Sequence, residues 1–317
     1  MKLDRKDIHS LLLGASLYGA GGGGRVEEGL ALLGDFEGVE LLPLFSFHKG
    51  CLFASPYACG SLAPEPSRGG EPKELKAARA LERYLGQEFA ALFPTELGGY
   101  NTAVAFHVAS ELGIPVVDGD AAGRAVPAVH HTLFYLSGIP AWPLAVASVE
   151  GDVLIVERAG DDRVLEQLIR LLTEVWGNVG VCDHPVKKDV AIRGLVTGSL
   201  TRALEAGACI ERGDLAGLLR VSGAQVIHKG TIQQVVWEEK GGFTIGLIRI
   251  SGGVTIRFKN ENCALEGPGF RVRMPDIITL IDQDLRPLTN PPPEGKHVCV
   301  LVMKADPRWY RRPDIWG

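Results

Sequence analysis

The stretch EFAALFPTELGGYNTAVAFHVASELGIPVVDGD, residues 88–120, predicts the fold of the first half of the chain. Its first residues, 88–94, read as a short buried strand, and residues 102–113 have the composition of an apolar helix. Asn101 stands where a helix N-cap is expected, and residues 114–117 form a second short apolar run. A strand, a helix and a strand in this order are typical of a βαβ unit around a parallel sheet.

Charged side chains follow both predicted strands. Glu96 follows the first strand. Asp118 and Asp120 follow the second, and Arg124 comes shortly after them. Because ligands of parallel sheets bind outside the carboxyl ends of the strands, we expect these side chains at one lip of the sheet. A carboxylate there is suited to act as a general base, and Arg124 to bind an anionic group. Two other interpretations stay open: aspartates that cap a turn beside a plain salt bridge, and a divalent-metal site.

The alternation of strands and helices extends over residues 1–160, which we predict to form an α/β domain with a largely parallel sheet. Within it, the Pro- and Gly-containing stretch 61–72 is predicted to be a loop. Further on the pattern changes to helices, beginning with a strongly amphipathic one over 161–176. Beyond Ser222, alternating and β-branched runs are separated by turn signals. We therefore predict a second domain, 161–317, with helices followed by an all-β sandwich or barrel-like module.

The composition is that of an ordinary globular protein. The chain has 317 residues, of which 46% are hydrophobic and 22% charged, and its formal net charge is −5. This acidic balance disfavours nucleic acid or an anionic membrane as a partner. We find no apolar run of transmembrane length and no secretory-signal pattern at the start. The six cysteines are scattered without a C-x-x-C pair, so we expect reduced thiols and a cytoplasmic location.

A glycine run, GAGGGG at residues 19–24, is the second candidate binding feature. Glycines let backbone N–H groups approach a ligand closely, although a loop that needs positive φ angles explains the run equally well. The run is neither a dinucleotide fingerprint nor a P-loop, so no nucleotide cofactor is expected. The polar cluster Asn-Glu-Asn at 260–262 closes a β-type run. It is explained either by a turn or by a contribution of the second domain to an interdomain cleft.

Histidines and cysteines offer further metal-ligand candidates. His131 follows the D-G-D segment, and Cys182 and His184 lie close together further along the chain. Neither group has the spacing of an established metal motif, so structural roles remain the alternative. Together with Asp118 and Asp120, these residues leave a divalent metal ion open as a cofactor.

Five motifs in this order resemble the S-methyl thiohydantoin desulfurase family, long known as an uncharacterised domain associated with hydantoinase and oxoprolinase proteins. They are GAGGGG (19–24), TELGGYN (95–101), GIPVVDGDAAGRAVP (113–127), FKNENCAL (258–265) and MPDIITLID (274–282). The resemblance implies an N-terminal α/β domain and a β-rich C-terminal domain. It also implies hydrolysis of a five-membered cyclic imide-like ring, with loss of a thiol from a ring carbon.

Carried onto this sequence, the resemblance implies Glu96, Asp118 and Asp120 as candidates for the catalytic base. Asn101 and Arg124 are the candidate donors to the leaving group or a ring nitrogen. The substrate-binding set that we predict comprises Gly21, Gly22, Gly23, Gly98, Gly99, Asn101, Arg124, Asn260 and Glu261.

Two hypotheses for the function follow. In the first, the protein is a cytoplasmic hydrolase of a small cyclic amide or thiohydantoin-like ring. The ring binds in a cleft between the domains, and water attacks it with the help of a carboxylate or a metal ion. In the second, the protein is a non-catalytic metabolite- or metal-binding subunit of a hydantoinase/oxoprolinase-type complex. A small molecule is the expected partner in the first case, and the sequence leaves a homo-oligomer open.

Overall fold

The computed structural model describes residues 1–60 and 70–316, so the predicted loop at 61–72 lies outside the described residues except for 70–72. The helices are α1 (Arg5–Tyr18), α2 (Val26–Leu33), α3 (Lys73–Leu85), α4 (Asn101–Leu112), α5 (Leu133–Leu136), α6 (Asp162–Trp176), α7 (Lys188–Gly194), α8 (Ser199–Glu211) and α9 (Leu215–Ser222). Short 3-10 helices cover Leu44–Ser46, Pro307–Arg311 and Pro313–Trp316.

The strands follow the same order along the chain. In the first half they are β1 (Lys2–Leu3), β2 (Val39–Leu42), β3 (Leu52–Cys59), β4 (Ala91–Leu92), β5 (Val116–Val117), β6 (Gly119–Asp120), β7 (Leu144–Ala147) and β8 (Val153–Val156). In the second half they are β9 (Val179–Lys187), β10 (Val196–Thr197), β11 (Gln225–Lys240), β12 (Phe243–Ile250), β13 (Val254–Lys259), β14 (Glu261–Gly267), β15 (Phe270–Arg273), β16 (Ile277–Ile281) and β17 (His297–Met303).

The predicted α/β arrangement of the first half is confirmed, but its sheet is mixed. The described strands have the order β1-β2-β5-β4-β3-β9-β7-β8. The run from β2 through β5 and β4 to β3 is parallel, as the βαβ pattern predicts. Strand β9 lies between β3 and β7 and is antiparallel to both, and the edge strands β1 and β8 also pair antiparallel. An apolar run in the sequence does not encode the direction of its partner, which explains the difference from a largely parallel sheet.

The stretch 88–120 forms the predicted strand–helix–strand unit with very short strands, β4 and β5. Helix α4 ends where Gly113 adopts the left-handed conformation, with φ +69°. The N-cap position of α4 is Tyr100, and Asn101 is already the first helical residue, so the N-cap prediction for Asn101 is wrong. Its side chain is engaged by Glu96, which leaves it no role in capping.

The second half ends in an antiparallel sheet of described strands in the order β15-β14-β13-β12-β11-β17-β16. The long strand β11 pairs with β17 along its first part and with β12 along its second. Its register shifts between Val226 and His228 and again between Ile232 and Gln234, and such bulges bend a strand. The sheet therefore curls into a half-barrel, which is the form that the predicted barrel-like module takes.

The two halves of the chain share one hydrophobic core. Helices α1 and α8 cross in backbone contact. A Cβ on Gly14 would stand 1.7 Å from the carbonyl oxygen of Ala203, and one on Gly207 would stand 1.6 Å from that of Ser10. Glycine at both positions permits this approach. Among the helices of residues 1–60 and 70–316, none combines the length and the apolar character needed to cross a membrane.

Candidate active site

The glycine run at 19–24 forms a loop that packs against the start of α4. The Gly23 carbonyl accepts hydrogen bonds from the amides of Tyr100 and Asn101, at 2.9 and 3.2 Å. A Cβ on Gly23, where φ is +71°, would lie 2.6 Å from the Cα of Gly98. Two facing glycines allow this approach of one backbone to the other. The GAGGGG and ELGGYN motifs therefore meet in one structural unit.

The turn between β13 and β14 holds the other side of this loop. The Asn262 amide donates to the Ala20 carbonyl at 2.7 Å, and the Asn290 amide donates to the Gly21 carbonyl at 2.8 Å. The Asn290 side chain donates to the Asn262 side-chain oxygen at 3.0 Å and to the Asn260 carbonyl at 2.8 Å. In the polar cluster predicted at 260–262, Asn260 thus forms the turn, and Asn262, in β14, reaches the glycine loop of the first half.

Glu96 has a buried carboxyl group, and each of its oxygens accepts a hydrogen bond. Its Oε1 accepts from Asn101 Nδ2 at 2.7 Å, and its Oε2 accepts from the Val126 amide at 2.6 Å. Burial raises the pKa of Glu96 to about 7, against the lowering effect of these two hydrogen bonds. The charge of Asp120 also raises this pKa, and that of Arg124 lowers it. A carboxyl whose pKa is near 7 is suited to accept a proton at neutral pH.

Glu261 is the second buried carboxyl, and it comes from the other half of the chain. A Cβ on Gly22 would stand 2.0 Å from Glu261 Oε1, so the carboxyl lies directly against the glycine loop. Burial, reinforced by the charge of Glu96, raises the pKa of Glu261 to about 8, while the charge of Arg124 lowers it. Within the described part of the chain, Oε2 has no hydrogen-bond partner. Glu96 and Glu261 therefore form a pair of buried acids that ionise near neutral pH.

Arg124 is a fully buried cation beside this pair. Its Nε donates to the Ala125 carbonyl at 2.8 Å, and its Nη1 donates to the carbonyls of Pro275 and Asp276. The guanidinium carbon lies 5.3 Å from the ring centroid of Trp316. Burial lowers the pKa of Arg124 to about 10, so it stays charged, and its Nη2 is without a hydrogen-bond partner across residues 1–60 and 70–316. The pair of acids thus has a cation with an N–H that no described residue engages.

Asp118 lies away from the pair, at the start of α8. Its Oδ1 accepts from the Thr201 amide at 3.0 Å, and its Oδ2 accepts from the Thr201 hydroxyl at 2.6 Å. Its backbone carbonyl also accepts from the Gly198 amide at 3.0 Å. Both carboxylate oxygens are therefore committed to the N-terminal turn of a helix, which carries a positive partial charge.

Asp120 is fully buried in the neighbouring bridge between β6 and β10. Its Oδ2 accepts from the amides of Ala122 and Gly123, at 2.9 and 2.5 Å. Burial raises the pKa of Asp120 to about 6, while the Ser199 hydroxyl at the start of α8 lowers it. The carboxylates of the D-G-D segment thus bind amides of their own turn and of the N-terminal turn of α8.

The predicted substrate-binding residues lie around the glycine loop. Gly99 completes the contact, since a Cβ there would stand 2.5 Å from the Val26 amide nitrogen. The structure brings together, around the carboxyls of Glu96 and Glu261, the residues Gly21, Gly22, Gly23, Gly98, Gly99, Asn101, Arg124 and Asn260.

The metal-ligand candidates are spread over separate places. His184 is buried in β9 with Nδ1 2.7 Å from Asp183 Oδ1, and Tyr57 donates to the other oxygen of Asp183 at 2.9 Å. Cys182 is buried beside them, and burial raises its pKa well above the ordinary thiol value. His131 lies elsewhere, in a wall of the cavity described next. Among the residues that the structure describes, no three His, Cys, Asp or Glu side chains are grouped to hold a metal ion.

A cavity of about 530 Å³ is lined by segments that are close in sequence to Val126 and Glu261. Pro127, next to the Val126 amide that binds Glu96, lines it, as do Arg170, Phe243 and Lys259. The Arg170 guanidinium carbon and Lys259 Nζ lie 4.1 and 3.9 Å from the Phe243 ring centroid. The cavity is therefore bounded by segments from both halves of the chain.

Several residues of this region were not predicted from the sequence. Asn290 and Trp316 stand outside the motifs that predict the site, and no local pattern marks either of them. Arg170 belongs to the amphipathic helix α6, in which the sequence pattern predicts that charged residues are exposed to solvent. Its ion pair with the Glu166 carboxylate, 2.7 Å away, lies within α6, whereas its contact with the Phe243 ring is a tertiary contact.

Comparisons with known proteins agree with this architecture. A family model described as "S-Me-THD-like, N-terminal domain" matches residues 6–158, and one described as "S-Me-THD-like, C-terminal domain" matches residues 160–315. A crystal structure of a protein from Chromobacterium violaceum is similar, with a TM-score of 0.81 and 21% identity over 98% of this chain and 93% of that one. This likeness concerns the fold. No curated protein matches the chain.

Proposed function

The chain belongs to the S-Me-THD-like family, and from this premise we propose that it hydrolyses an S-methyl thiohydantoin or a closely related small cyclic amide. The observation that carries the proposal is the pair of buried acids, Glu96 and Glu261, with pKa values raised to about 7 and about 8. Because burial and mutual repulsion oppose ionisation of both acids together, the pair holds one proton near neutral pH, which is the state that acid–base catalysis of water attack needs.

In the proposed reaction, water attacks the ring carbon that carries the methylthio group. Glu96 accepts a proton from the water as the carbon–oxygen bond forms, and Glu261 gives its proton to the adjacent ring nitrogen. The carbon–sulfur bond then breaks with its electron pair on sulfur. Glu96 protonates the leaving methanethiolate, and Glu261 takes the remaining hydroxyl proton as the ring carbonyl forms. Both acids return to their starting states, and the products are a hydantoin and methanethiol.

Arg124 and Asn101 have supporting roles in this proposal. The Arg124 cation stabilises negative charge that develops on the ring. Its Nη2 makes no hydrogen bond to any described residue, so its N–H groups are available to the substrate. Asn101 orients the Glu96 carboxylate, to which it donates at 2.7 Å. We assign Asp118 and Asp120 to the stability of the loop and of α8, because the Asp118 carboxylate and one oxygen of Asp120 are engaged there.

Release of methanethiol from a 2-methylthio-imidazolone, measured with a thiol reagent, tests the proposal. Wild-type protein should release thiol, and Glu96→Gln and Glu261→Gln should each lower kcat by at least about 100-fold. Glu88→Gln, at an exposed position, is the matched control and should leave turnover unchanged. Full activity in either active-site variant would contradict the assignment. Ring binding without thiol release by the wild type would instead support the hypothesis of a non-catalytic binding subunit.

A further inference from the structure

His131 lies in the wall of the cavity and stacks on Trp316, whose ring centroid also lies 5.3 Å from the guanidinium carbon of Arg124. The cavity begins at Pro127, directly after the amide that binds Glu96, and it includes Lys259, two positions before Glu261. A ring whose carbon is attacked at the pair would extend into this space. Side chains of the cavity wall are therefore placed to contact the ring.

The hydrogen bond that His131 makes defines its tautomer. Its Nε2 lies 3.0 Å from the Ile315 carbonyl oxygen. A carbonyl can only accept, so the proton is on Nε2 and Nδ1 carries a lone pair. Burial, together with the charges of His130 and Arg124, lowers the pKa of His131 to about 3. The ring is thus neutral at physiological pH and offers an acceptor.

That acceptor is held in place but not used by the protein. The His131 ring is 7% exposed and stacks on Trp316, with centroids 4.7 Å apart and planes inclined by 10°. Its Nδ1 is buried and has no hydrogen-bond partner in residues 1–60 and 70–316. A buried acceptor without a partner costs free energy, which a ligand N–H can recover. The contacts fix where the lone pair stands before any ligand arrives.

We propose that His131 determines specificity by accepting, at Nδ1, a hydrogen bond from a ring N–H of the substrate. The ligand class is a five-membered cyclic amide or imide with an unsubstituted ring nitrogen. The inference rests on the proposed function for the identity of the ring, and it gives His131 a role other than that of a metal ligand.

Binding of hydantoin, 1-methylhydantoin and 3-methylhydantoin, measured by titration calorimetry on the full chain, tests the inference. The wild type should bind hydantoin at least about tenfold more tightly than one of the two methylated rings, because methylation removes the donated hydrogen. His131→Phe retains a flat ring against Trp316 but has no acceptor. It should bind hydantoin about tenfold more weakly than the wild type and lose the preference.

His130→Phe is the control, since His130 lines the same cavity and its ring centroid is 4.3 Å from that of His131. It should retain the preference. Equal binding of the three rings by the wild type, binding of none of them, or a full preference in His131→Phe would overturn the inference. Loss of the preference in His130→Phe would show that the acceptor is His130 and not His131, and this result would overturn the inference as well.

Equal binding of the three rings by the wild type would overturn the inference even if His131→Phe does not fold. Turnover of the methylthio ring is measured separately. A wild type that discriminates among the three rings without releasing thiol would refute the proposed function and leave the role of His131 standing.

Discussion

The Asp118 carboxylate accepts hydrogen bonds from both the backbone amide and the hydroxyl of Thr201, which lies 83 residues further along the chain. One side chain of the first half thus holds the first turn of α8, a helix of the second half. The carboxylate also faces the positive end of that helix. The Asp118 side chain is therefore a structural link between the halves.

Replacing Asp118 by alanine should lower stability and spare the reaction. Loss of the two hydrogen bonds to the N-terminal turn of α8 should reduce the free energy of unfolding by about 1–3 kcal/mol. Urea denaturation measures this loss, and Thr201→Val, which keeps the amide, should show a smaller one. A folded Asp118→Ala protein with kcat reduced 100-fold or more would restore Asp118 as a catalytic residue.

The rate of thiol release should depend on pH as a bell-shaped curve. Glu96 must be ionised, so kcat/KM should rise as pH increases to about 7. Glu261 must be protonated, so it should fall as pH increases beyond about 8. The two limbs belong to the interacting pair rather than to separate sites. A profile that is flat from pH 6 to 9 would exclude this pair from the chemistry.

The variant Asn101→Leu tests the origin of the rising limb of this pH profile. The Asn101 hydrogen bond lowers the pKa of Glu96, so its removal should move the rising limb to higher pH. The falling limb should move much less, because the lost hydrogen bond is made to Glu96. A variant that only lost stability would lower the amplitude without shifting either limb.

Stability should fall as pH rises from about 4.5 to about 8. An unfolded glutamate has a pKa of about 4.5, whereas that of Glu261 in the folded protein is raised to about 8. The folded state therefore holds a proton that the unfolded state has lost, and the free energy of unfolding decreases as pH rises between these values.

Glu261→Gln removes this proton linkage. At pH 8.5 it should be more stable than the wild type by at least about 1 kcal/mol, and near pH 4 the difference should vanish. Chemical denaturation at both pH values measures this. Greater stability of the wild type at pH 8.5 would show that the ionised Glu261 is well satisfied in the fold.

Gly22→Ala should disturb the site more than the fold. Gly22 does not have a positive φ, so its backbone accepts alanine, but the added Cβ would stand 2.0 Å from Glu261 Oε1. The carboxyl must then move away from the loop, and kcat should fall at least about tenfold. Gly160→Ala is the control, since a Cβ there meets nothing within 4 Å. Unchanged kcat in Gly22→Ala would mean that the position of Glu261 is not critical.

Much of the architecture could be predicted from local patterns. The stretch 88–120 encodes its strand–helix–strand unit in apolar spacing and in the glycine that ends α4. The glycine run, the E-x-G-G-x-N motif and the turn at 260–262 were predicted to belong to one site, and they meet around Glu96 and Glu261. Turn and loop residues of these kinds carry a strong local signal.

The surroundings of the individual acids could not be predicted from the sequence. Whether a carboxylate is free depends on what lies beside it, and for Asp118 that partner is Thr201, far along the chain. Glu261 was predicted to bind substrate, but its raised pKa arises from burial against the glycine loop. Both effects are properties of tertiary packing, which no local window contains.

Strand β9 has a consequence for the order in which the protein is made. During synthesis β3 and β7 emerge early, yet the strand that separates them in the sheet is supplied only when residues 179–187 follow. Until then the nascent first half carries two unpaired strand edges, which are prone to associate with other chains. Glu261 emerges later still. A ribosome-bound fragment that ends before β9 should therefore need a chaperone that covers these strand edges.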